Sequence, residues 1–100
     1  MKTTSQRIYD ADRAKEVLEN EAFVQAFADM EQELIEQWKT SPARDEDGRA
    51  KLWLMLKMLE KLKLTLQASL DSGKLAVIEL EHQKTMAQRA KEWIGAAYSG

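Results

Sequence analysis

The sequence predicts an all-α fold, a helical bundle built on a long antiparallel helix hairpin, and three observations carry that expectation. Proline occurs once and glycine four times in 100 residues, too few for the turn chemistry of a many-stranded β fold. Apolar residues recur at spacings of three and four over long stretches, the period of an α-helix with one buried face. The stretches between them, Asn20, Thr40-Ser41-Pro42 and Asp71-Ser72-Gly73, have the composition of caps and stops.

The central stretch, Arg49 to Leu70, is the most apolar and is expected to form the core donor. Leu52, Met55, Leu56, Met58, Leu59, Leu62, Leu66 and Leu70 fall on one side of a helical wheel. Residues 59–66 alternate apolar and polar, as a strand would, but Lys, Glu, Gln, Met and Leu all favour helix and no β-branched cluster supports a strand. Upstream, residues 1–9 lack periodicity and are expected to be a flexible arm, with residues 10–98 forming a single helical domain. Asp10 to about Asn20 reads as a short helix with Ala11, Ala14, Val17 and Leu18 on one side. Asn20 then caps a second helix over 21–40 that buries Phe23, Val24, Phe27, Met30, Leu34, Ile35 and Trp38. Ser41 and Pro42 end it, because proline cannot continue a helix without a kink.

The acidic run Asp45-Glu46-Asp47 suits the opening turn of the central helix, where the helix dipole attracts carboxylates. That helix is expected over about 47–71, with Gly73 as its left-handed C-terminal cap and the next helix, about 74–98, folding straight back along it. Ala87, Ala90 and Ala97 on that last helix would allow close approach. Two arms of about 25 residues would make a hairpin about 35–40 Å long.

Composition excludes several functions. A formal charge of -2 and a pI near 5.4 give no global attraction to nucleic acid or anionic membranes, so direct nucleic-acid binding is not expected. No run approaches a membrane span, the N-terminal stretch has no apolar signal core, and cysteine is absent, which together read as a soluble, cytosolic protein. One histidine, no cysteine and no glycine-rich phosphate loop leave no nucleophile–base pair, so the protein is expected not to be an enzyme and to use no cofactor. The one spacing suggestive of metal chemistry is Glu79-x-x-His82, with Glu31 interrupting the apolar face of the second helix. Carboxylate di-iron bundles use two such pairs. This chain holds one, so a ferritin-like site would require a homodimer, and no metal ligands are assigned.

The reverse side of the central helix is the candidate interaction surface. Trp53, Lys57, Leu64 and Ala68 line up there at helical spacing, opposite the leucine face. A helix apolar on two sides is either central to its bundle or receives a partner, and a chain this short has few elements to cover both.

The segment WKTSPARDEDGRAKLWLMLKMLEKL, with RAKEVLENEAF upstream, resembles small all-helical proteins of unassigned role encoded by tailed bacteriophages, often among head and packaging genes. The likeness extends over residues 13 to 94 and carries no catalytic residues. It implies a protein made in the bacterial host cytoplasm, with the virion as a further location. The expected function is therefore self-association in virion or procapsid assembly or structure, the partners being further copies of the chain and phage head proteins. Two alternatives are a small inhibitor or adaptor that binds a host or defence protein, and the metal-binding dimer.

Overall fold

The computed structural model describes residues 1–99, with side-chain surroundings described through Ala97. It is all-helical, in three helices: α1 Thr4–Glu19, α2 Glu21–Thr40 and α3 Glu46–Ser99. The hairpin expected between 47–71 and 74–98 does not form. Instead α3 runs unbroken for 54 residues, which at 1.5 Å per residue is about 81 Å and accounts for the 84 Å long axis of the molecule. The chain that folds back on α3 is the N-terminal pair α1–α2. Its antiparallel register is marked by Arg7 bound to Ser72 and Glu79 at one end, Phe27 beneath Lys63 in the middle, and Trp38 against Arg49 at the other.

Gly73 explains why the expected stop is not one. Its φ is not positive, and a Cβ built on it would collide with Cβ of Ala11 and lie 3.1 Å from the carbonyl oxygen of Arg7. The residue is there for close approach of α1, and that packing outweighs the roughly 1 kcal/mol by which glycine disfavours a helix interior. Ala11, Ala14 and Ala76 are buried around it. Arg7 locks the crossing: Nε donates to Oγ of Ser72 at 3.0 Å, Nη2 to the Ser72 carbonyl at 3.0 Å, and Nη1 pairs with Oε2 of Glu79 at 2.9 Å. The close approach expected of Ala87, Ala90 and Ala97 is thus made by Gly73 and Ala76, while residues 81–97 are exposed along their whole length.

The first helix starts at Thr4, well before the expected Asp10, so most of residues 1–9 is helical. A reciprocal capping box starts it, in which the Thr3 hydroxyl accepts from the Gln6 N–H and the Gln6 amide oxygen accepts from the Thr3 N–H, each at 3.1 Å. Asn20 does what its position predicts. In extended conformation between the helices, it donates its backbone N–H to Val17 and accepts the Phe23 N–H on its side-chain oxygen at 3.0 Å. The second helix has the expected bounds. Ser41 caps its end, and Asp45 caps the start of α3 by accepting the Gly48 N–H at 3.1 Å. Pro42 lies in the turn rather than in a helix. The turn is closed by Arg49, whose guanidinium stacks 4.4 Å from the Trp38 ring centre and donates to the Ser41 hydroxyl at 2.9 Å.

The core is small. Among the described residues the buried apolar side chains are Ala11, Ala14, Phe27 and Ala76, and no large side chain is fully buried. The leucine face expected to be shut away is only half covered: Leu52, Leu56, Leu59, Leu66 and Leu70 are partly buried, but Met55, Met58 and Leu62 are about half exposed or more. Two helices lying side by side have no second layer to close over that face.

Candidate interaction surface

The α2–α3 pair presents two apolar grooves, one on each side of the seam where the helices meet. On the first side Phe27 and Ile35 of α2 face Trp53 and Leu56 of α3, with Lys57, Lys63 and Glu31 at the same groove. Cations cover its aromatic rings. Lys57 Nζ sits 5.6 Å from the Trp53 ring centre and 3.4 Å from Oε2 of Glu60, and Lys63 Nζ sits 5.5 Å from the Phe27 ring centre. Such contacts shield the rings and keep charge over the groove. Trp53, Lys57, Leu64 and Ala68 are all exposed; Trp53 and Leu64 are 57% and 60% exposed. Only Trp53 and Lys57 of that set line this groove, while Leu64 and Ala68 lie further along α3.

The second groove is formed by residues whose spacing predicts a buried face. Met30 and Leu34 of α2 and Met55, Met58, Leu59 and Leu62 of α3 line a trough of about 570 Å³, with Glu33 and Gln37 on its α2 rim. No cation lies across it. The signal was present, because these are the residues read as the core face of the central helix. What the sequence does not show is that the helix expected to cover them instead continues away as the end of α3. Met55 and Met58 bring flexible, polarizable side chains of the kind that adapt to a partner surface.

A third apolar surface is the uncovered end of α3, where Met86, Trp93 and Ile94 are 51%, 74% and 48% exposed. The residues considered for metal binding are dispersed. Glu79 is held by Arg7, Glu31 lines the Phe27–Lys63 groove, and His82 is exposed. Among the described residues no group of three metal-ligating side chains converges. No helix is long and apolar enough to cross a membrane among them. Comparison with known proteins finds no matching family model, no matching curated protein and no matching solved structure.

Proposed function

We propose that this is a non-enzymatic helical protein that works by self-association, acting in the assembly or structure of a tailed-phage virion or procapsid within the bacterial host. The observation that carries the self-association is surface left over by the single chain. A compact protein of 11.5 kDa exposes about 5,800 Å², whereas this one exposes 8251 Å². Its radius of gyration is 23.2 Å, against about 13 Å for a globular domain of this length. A stable dimer typically buries about 800 Å² on each partner, so the surplus is more than one interface requires. Much of it is apolar, with Met30, Met55, Met58, Leu64, Ile78 and Trp93 all about half exposed or more. Isolated apolar residues are ordinary on a surface, but runs of them along one groove mark a contact.

The phage setting is supported by the resemblance of residues 13–94, and the head proteins it suggests are the partners to seek. Light scattering over a concentration series tests the self-association: a mass of at least twice the chain mass is expected, and a monomer at every concentration would refute it. A second reading, a small adaptor or inhibitor bound to one host or defence protein, is favoured by the exposed Trp53, Lys57 and Leu64. Affinity capture from infected cells separates the two, capsid or portal proteins supporting the first and a single host enzyme the second.

A further inference from the structure

We propose that the groove lined by Met30, Leu34, Met55, Met58 and Leu62 is closed by the same groove of a second copy, related by a two-fold axis along the rod, so that α2 of each chain lies on α3 of the other. This rests on the self-association proposed above and specifies the interface. The groove is the face to dehydrate, since Glu33 and Gln37 are the only polar residues in its lining, whereas the Trp53 side keeps Lys57, Lys63, Glu31 and Glu60 in its lining. Two stacked two-helix layers are a four-helix bundle, the arrangement that supplies each layer with the cover it lacks.

Charge selects the orientation. The α2 helix carries five carboxylates against one lysine, and Arg49 to Leu66 of α3 carries five cations against Glu60. At helical spacing from the groove residues, Asp29 lies on the α2 rim with Glu33, and Lys51 and Lys61 lie on the α3 rim with Leu54. None of Asp29, Glu33, Lys51 or Lys61 takes part in an ion pair within its own chain among the described residues.

A two-fold axis across the rod would stack α2 on α2 and α3 on α3, bringing like charges together. An axis along the rod sets each acidic rim over the partner's basic rim. From the register that places Phe27 at Lys63 and Trp38 at Arg49, Asp29 of one chain meets Lys61 of the other. Both uncovered α3 ends then leave the dimer side by side at one end.

Cysteine is absent from the natural chain, so engineered thiols report only on this geometry. Asp29→Cys and Lys61→Cys chains, both altered at exposed positions, are mixed and oxidised. A disulfide-linked heterodimer is expected, with little product from either chain alone. A self-linked Asp29→Cys or Glu33→Cys homodimer without the mixed product would place α2 on α2 and overturn the proposal, as would no cross-link in a chain that scatters light as a dimer. A light-scattering monomer would instead overturn the self-association itself. As a second measurement, Asp29→Lys should weaken association roughly three- to tenfold and mixing with Lys61→Asp should restore it; unchanged association in both would count against the charged rims.

Discussion

At the scale of single residues, Gly73 and Gly95 sit in one helix and should respond to the same substitution in opposite senses. A methyl group at Gly73 would meet Cβ of Ala11 and the backbone of Arg7, and neither can move without lifting α1. Gly73→Ala should therefore cost about 1–3 kcal/mol as overpacking, read as a fall of several degrees in the thermal midpoint. At Gly95 nothing lies within 4 Å of the added carbon, so Gly95→Ala should raise helicity and gain up to about 1 kcal/mol from propensity. Arg7→Met keeps the apolar stem but removes the bonds to Ser72 and Glu79. The ion pair is half exposed, with Glu79 at 44%, so most of the loss belongs to the two bonds to Ser72, about 1–3 kcal/mol together. Faster hydrogen exchange confined to α1 would be its signature.

At the scale of elements, the N-terminal arm is two helices because Asn20 turns the chain out of helical conformation while capping both sides. Asn20→Ala should cost about 1 kcal/mol, and amide exchange should rise in the first turn of α2, starting at Phe23, whose N–H loses its partner. The two halves of the arm are held differently. The first meets α3 through alanine and glycine at backbone distance, while the second meets it through Phe27, Leu34 and Ile35, which hold the helices apart and leave grooves on both sides. Asn20, the bounds of α2 and the absence of a strand among the described residues were readable from spacing and capping chemistry alone. The capping box at Thr3 and Gln6 was readable too, and was hidden by the low apolar content of the residues that follow it.

At the scale of the whole molecule, the rod is longer than its own cover. The helix α3 has 54 residues, whereas α1 and α2 have 16 and 20, and the difference emerges as the exposed segment 81–97. A chain so built should gain stability from association, so its thermal midpoint should rise with protein concentration. A midpoint constant over a hundredfold range would mean that the exposed apolar rows remain in water. Met58→Glu, placed at the floor of the second groove, should abolish that dependence while leaving most of the helical signal, because Met58 is already 64% exposed in the single chain.

Helicity, the position of α2 and the apolar rows are all legible in the order of residues, because each follows from periodicity and from hydrogen bonding within a few residues. The same order could not say whether Asp71-Ser72-Gly73 ends a helix or passes through one. A glycine serves equally as a left-handed cap or as the flat spot where another helix presses close, and the choice was made by Ala11 and Arg7, more than sixty residues away in the chain. With α1 pressed against Gly73, α3 runs on as a continuous rod where a hairpin was expected. It thereby exposed the methionines and leucines that had been read as core, since a buried face exists only where another element lies on it.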